Sequence, residues 1–274
     1  MTSPHGQSSF YGGRMRGQTP TIEVVLVHGI RTSATMWRAQ VGYLQELGYR
    51  VTAVDLPGHG TRMAETFTLS GAMETIDTAV RAAASRAHVL LVGHSLGGLL
   101  CTAYVGAGDP PPVAGFIAAS CTAFPRGAAL TTYRALAGTF NSLPDQGMWL
   151  TKRMLAATLP EDTRADFGAG GYALAAQDTA LRSLAALDLR SALTRIMVPT
   201  WFINGQYDQL RVSEKIFSRL VAGSELIVIP RATHLVSAMR PAAFNAAMKL
   251  ALVTLERDLA VDSAAGQSVG RAAQ

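Results

Sequence analysis

Only two cysteines, Cys101 and Cys121, occur in the 274 residues, and both lie in apolar segments. Two such thiols suit a packed interior and can build neither a disulfide framework nor a thiolate metal site. Charge is sparse as well. Asp, Glu, Lys and Arg make up 16% of the chain, and the formal net charge of +5 is spread without a basic cluster of the kind that tracks phosphates. Nucleic acid is therefore not an expected partner. No window offers about 18 uninterrupted apolar residues, so no membrane span is expected. The stretch from Met1 to Thr19 is polar and glycine-rich and lacks the apolar segment of a secretory signal, which makes the cytoplasm the expected location.

Apolar residues, in contrast, make up 49% of the chain, enough to bury a large core. The default is one domain carrying an insertion. Residues 1–20 read as a flexible arm, because Gly6, Gly12, Gly13 and Gly17 punctuate a segment with little to bury. Ile22 to Val27 is then a nearly continuous β-rich run, the signature of a strand covered on both faces. Met36, Trp37, Val41, Tyr43, Leu44 and Leu47 recur at helical spacing, with Ser33 or Thr32 as cap and Gly48 as stop.

The alternation continues with a strand at Arg50 to Val54, a helix around Ser70 to Arg86, a strand at His88 to Val92, a helix from Leu96 to Val105 and a strand at Val113 to Ala119. It stops over residues 122–195, which read as helical pieces cut by Leu143-Pro144, Leu159-Pro160 and Gly168 to Gly171. It resumes with a strand at Pro199 to Ile203, a helix near Val212 to Val221, a strand at Glu225 to Ile229 and a helix from Pro241 to about Leu259. Strands separated by helices imply parallel pairing through right-handed crossovers. The expected architecture is a doubly wound, mostly parallel α/β sheet over residues 21–121 and 196–259, with a helical cap inserted at 122–195 and a flexible tail at 260–274.

The chemistry is most legible at Gly93-His94-Ser95-Leu96-Gly97-Gly98, which interrupts an apolar strand and opens an apolar helix. Glycines at 93 and 97 remove side chains where the backbone turns tightly, leaving Ser95 exposed at a helix N-terminus. A serine hydroxyl needs a base within hydrogen-bond reach and a third group to orient that base. Of six histidines, His5 lies in the arm and His88 opens a strand. His28 and His59 fit tight loops as structural hydrogen-bonders, and the side chain of His94 should diverge from that of its neighbour. His234, in the loop after the last strand, remains as the base. Asp208 follows the preceding strand and is the preferred acid, ahead of Asp178 and Asp188 in the insertion.

The order Ser95, Asp208, His234, each after a separate strand, resembles the α/β-hydrolase superfamily in its serine-nucleophile, esterase- or lactonase-like branch. Gly93 to Gly98 resembles its nucleophile elbow. His28-Gly29, the run Asp55-Leu56-Pro57-Gly58-His59-Gly60 and Trp37 agree with it, and the likeness spans roughly Thr21 to Leu259. The resemblance implies an oxyanion hole from the backbone N–H groups of Ile30 and Leu96. It implies no cofactor and no metal. A serine rather than a carboxylate nucleophile points to acyl transfer, not displacement at saturated carbon.

Substrate-binding candidates are Arg31 beside the presumed oxyanion loop, and Met148, Trp149 and Met154, with Phe140 and Leu155, in the insertion. The expected function is hydrolysis of a carboxylic ester or lactone of a small, mostly apolar molecule. Rival readings are hydrolysis of a carbon-carbon bond in a dioxo acid, with Arg31 on the substrate carboxylate, and a slow-turnover ligand receptor on the same fold. Oligomeric state is not legible in the sequence.

Overall fold

The computed structural model describes residues 21–127, 138–139 and 142–272, with side chains as far as Ala264. The expected N-terminal arm and Phe140 lie outside the described residues. Six strands form one sheet: β1 (Ile22–Val27), β2 (Arg50–Val54), β3 (His88–His94), β4 (Gly115–Ala119), β5 (Thr200–Gly205) and β6 (Glu225–Ile229). Their order is β2-β1-β3-β4-β5-β6 and every pair is parallel. β2 and β6 are the edges.

Period-two alternation feeds two cores, one on each face, as parallel sheets require. Val25, Val27, Val89, Leu91, Phe116 and Phe202 face α2 (Leu69–Ala84) and α3 (Leu96–Val105). Val24, Leu26, Leu90, Val92, Ile117 and Trp201 face α1 (Arg38–Glu46) and the C-terminal helix, which contributes Phe244, Met248 and Leu252. The apolar composition of the central strands follows from this double coverage: β1, β4 and β5 are buried at every residue.

Between β4 and β5 the chain forms a short 3-10 turn at Pro144–Gly147, then α4 (Met148–Thr158), α5 (Glu161–Ala169), α6 (Gln177–Leu184) and α7 (Leu189–Arg195). Prolines 144 and 160 start helices, where their missing N–H is not needed. α5 is tied to the loop after β1. Thr35 donates to the Asp166 carbonyl at 2.7 Å, Thr32 to the Phe167 carbonyl at 3.3 Å, and Arg38 pairs with Asp166 at 3.1 Å. The rest of the chain forms α8 (Glu214–Leu220), the short α9 (Val236–Met239) and α10 (Pro241–Ala272). Among the described residues no helix is long and apolar enough to cross a membrane.

Several boundaries differ from the sequence reading. α10 continues to Ala272, past Leu259, where the reading ends it. No proline interrupts that segment, and alanine, glutamine and arginine sustain a helix with little to bury. β3 runs on through Gly93 and His94, which pair with Ala118 and Ala119, while β4 starts only at Gly115.

The chain steps from β1 to β2 on one side and then to β3 on the other, so the loops after β1 and β3 diverge at this switch point. Open α/β sheets bind ligands in such a crevice, outside the carboxyl ends of the strands.

Candidate active site

Ser95 stands at that crevice, between β3 and α3. Its backbone takes φ 52° and ψ −115°, a left-handed conformation that costs a non-glycine residue on the order of 1–3 kcal/mol. Two contacts hold it. The Ser95 N–H donates to the Ala119 carbonyl at 2.9 Å, and the Ser95 carbonyl accepts the first helical bond from Leu99 at 3.0 Å. Close approach explains the flanking glycines. A Cβ on Gly97 would lie 2.5 Å from the His28 carbonyl oxygen, and one on Gly93 would lie 2.6 Å from the Gly97 carbonyl oxygen.

Loops after β5 and β6 supply the partners. His234 Nε2 lies 2.9 Å from Ser95 Oγ, and His234 Nδ1 lies 3.0 Å from Asp208 Oδ1. Asp208 is ionised and can only accept, so Nδ1 carries the proton and the Nε2 lone pair faces the serine. Burial pushes the Asp208 carboxyl up, but hydrogen bonding and charge from His234, with the Leu210 N–H at 2.8 Å, hold it below the usual carboxylate range. The Tyr207 N–H donates to the Ala232 carbonyl at 2.8 Å, fixing the two loops together.

His94 has a part that its sequence position does not reveal. Its Nε2 donates to the His234 carbonyl at 2.9 Å. The ring packs edge-on against Trp37, at 6.3 Å between centroids, and beside the ring of His234, at 5.1 Å. Burial, reinforced by His234, pushes its pKa down to about 4, so it stays neutral.

Ile30 and Leu96 flank the serine, and among the described residues neither of their backbone N–H groups meets an acceptor. Both residues line a cavity of about 420 Å³ together with Ser95. One wall comes from the loop after β4, with Cys121, Ala123, Phe124 and Pro125. Another is Leu181 and Leu184 of α6, and a third is Gln209, Leu210, Val212 and Ser213.

Met148, Trp149 and Met154 are not among the lining residues. Trp149 and Met154 are 54% and 57% exposed, and Met148 is buried with its sulfur 3.8 Å from the Arg31 guanidinium. Arg31 also lies outside the lining, on a left-handed backbone at φ 61°. The sequence candidates thus sit on α4 and the β1 loop, whereas α6 supplies the wall. Ala180, Leu181 and Leu184 recur at helical spacing, and that spacing was the available signal.

Among the described residues no group of three or more His, Cys, Asp or Glu side chains could hold a metal. Cys101 and Cys121 are free and buried, and burial keeps both thiols protonated.

The sequence profile described as the alpha/beta hydrolase family matches residues 24–247. The chain belongs to that family. Among curated relatives, this alpha/beta hydrolase is 31% identical over 91 residues to protein ABHD8 of Bos taurus, covering 32% of this chain and 21% of that protein. It is 40% identical over 78 residues to "Probable esterase PIR7A" of Oryza sativa subsp. indica, covering 27% of this chain and 30% of the relative. The matched stretch thus spans well under half the length of these relatives. Among solved structures, a thermophilic esterase from Thermogutta terrifontis superposes on this alpha/beta hydrolase with a TM-score of 0.68 at 23% identity, covering 87% of this chain and 92% of that one.

Proposed function

We propose that this alpha/beta hydrolase is a serine hydrolase that cleaves a carboxylic ester or lactone of a small, mostly apolar molecule through an acyl-enzyme on Ser95. The observation that carries this reading is the unbroken path from Ser95 Oγ to His234 Nε2 at 2.9 Å and from His234 Nδ1 to Asp208 Oδ1 at 3.0 Å. Ser95 Oγ attacks the carbonyl carbon as its proton passes to His234 Nε2. Asp208 keeps the imidazole in the productive tautomer and stabilises its cationic form. The oxyanion is held by the Ile30 and Leu96 amides, and each such donor contributes roughly 3–4 kcal/mol to the transition state. The carbon-oxygen bond to the alcohol breaks, His234 returns the proton to the alcohol, and water repeats the sequence on the acyl-enzyme.

The β4–β5 insertion acts as a cap, closing the cavity with Leu181 and Leu184. Carbon-carbon bond hydrolysis of a dioxo acid is the weaker reading. It calls for a cation facing the substrate carboxylate, and Arg31 lies outside the lining. Steady multiple turnover on a simple aryl ester would exclude a slow-turnover receptor.

The deciding experiment is labelling with a fluorophosphonate. Wild type is expected to take up one equivalent, and Ser95→Ala none under the same conditions. Equal labelling of both proteins would remove Ser95 as nucleophile.

A further inference from the structure

The cavity beside Ser95 treats the two halves of an ester differently. Resting on the serine hydrolase reading above, we propose that it is the acyl pocket, that the acyl group it takes is an uncharged aliphatic chain of medium length, and that the alcohol half is only loosely recognised.

Once Ser95 Oγ attacks and the carbonyl oxygen turns toward the Ile30 and Leu96 amides, two substituents remain to be placed. The alcohol oxygen must lie against His234 Nε2, because that is the atom that returns its proton. His234 is not part of the cavity lining, and its side chain is 20% exposed. The alcohol therefore leaves on the solvent side of the imidazole, and the enclosed space beyond the serine is left for the acyl chain.

The lining states what that chain carries. Leu99, Phe124, Leu181, Leu184, Leu210 and Val212 supply its apolar surface, and the polar side chains besides Ser95 and the protonated Cys121 are the neutral Gln209 and Ser213. Among the described residues no charged side chain lines it. A carboxylate on the acyl chain would be desolvated there without a partner, whereas each methylene that enters gains about fourfold in kcat/KM.

The test uses p-nitrophenyl acetate, butyrate and hexanoate, the p-nitrophenyl monoester of adipic acid, and the methyl and butyl esters of hexanoate. On the full chain, kcat/KM is expected to rise by up to about 250-fold from acetate to hexanoate, four methylenes at about fourfold each. The adipate monoester, with the same chain length and a terminal carboxylate, is expected to fall at least about a hundredfold below hexanoate. Methyl and butyl hexanoate are expected to agree within about fivefold, since the alcohol meets little enclosed surface. Leu184→Trp should lower the hexanoate-to-acetate ratio. Val212→Arg, at an exposed position on the cavity wall, should raise the adipate-to-hexanoate ratio about tenfold.

Adipate cleaved as well as hexanoate, a flat acyl series, or a steeper dependence on the alcohol than on the acyl chain overturns the pocket assignment. These results leave the hydrolase reading standing as long as Ser95 is labelled by the fluorophosphonate. Loss of that labelling takes down both.

Discussion

Two histidine–aspartate clusters in the molecule differ in what surrounds them. In one, His28 Nδ1 donates to the Gly29 carbonyl at 2.7 Å, His28 Nε2 accepts from the Leu56 N–H at 3.0 Å, and the ring lies 5.0 Å from that of His59. Asp55 beside them accepts from Ala34 N at 2.7 Å and from Thr61 N at 2.9 Å. Both nitrogens of His28 are used up by backbone. In the other cluster, Asp208 takes only one nitrogen of His234, and the second faces a hydroxyl at the mouth of a cavity. The residue types are shared, but backbone saturation makes one cluster a brace, and the one nitrogen left over in the other is what the proposed mechanism uses as its base.

The sharpest way to break this contrast is to exchange the loss. Ser95→Ala is expected to lower kcat on p-nitrophenyl butyrate by about 10⁵-fold or more, and Asp208→Asn by about 10⁴-fold, with melting temperatures close to wild type at pH 7. Asp55→Asn is expected to do the reverse, costing about 1–3 kcal/mol in urea unfolding through the weakened acceptor while kcat of the folded protein stays within about tenfold. A kcat loss for Asp55→Asn as large as that for Asp208→Asn would erase the distinction.

His94 belongs between the two, since it meets the His234 loop through a bond to the His234 carbonyl and a ring contact, and bonds neither Ser95 Oγ nor Asp208. His94→Leu should lower kcat by about 10–30-fold with little change in KM, the scale of one lost hydrogen bond. His94→Gln, which keeps a donor, should recover most of it. Equal losses in the two variants would argue for packing alone.

A further expected effect is on the pH dependence of stability. Burial, with the neighbouring His59, pushes the His28 pKa down to about 3, and burial pushes that of His94 down to about 4. In the unfolded chain both titrate at about 6.5. Stability is therefore fully present above that pH, where neither state binds the proton, and is lost as pH falls toward 4 and 3, where only the unfolded chain does. Thermal melts between pH 7 and pH 4 should show a falling midpoint, and His28→Gln should flatten the slope. A midpoint that does not change over that range would contradict the buried, neutral assignment.

The βα order, Ser95, Asp208 and His234 are all legible in the sequence for the same reason. Each side chain follows a strand, so one-dimensional order already says which end of the sheet it reaches. The cavity wall is not legible in that way. Met148 and Trp149 have the composition of a binding surface, yet α4 turns Trp149 outward and α6 presents Leu181 and Leu184. Which apolar stripe faces Ser95 depends on how α5 is fastened to Thr32, Thr35 and Arg38, and pattern alone carries no information about docking between distant segments. The His94 bond to the His234 carbonyl is hidden for the same reason, since it joins residues far apart in the chain.

β6 lies at the rim of the sheet and pairs with β5 alone, from Trp201 with Glu225 to Gly205 with Ile229. β3, which carries the serine, is gripped from both sides. One step of slippage along β5 would carry the His234 loop about 3.3 Å, more than the whole imidazole–hydroxyl separation. Within the sheet, the strand that leads to His234 is thus held by a single seam of main-chain bonds, and whatever loosens that seam shifts the imidazole without touching the serine.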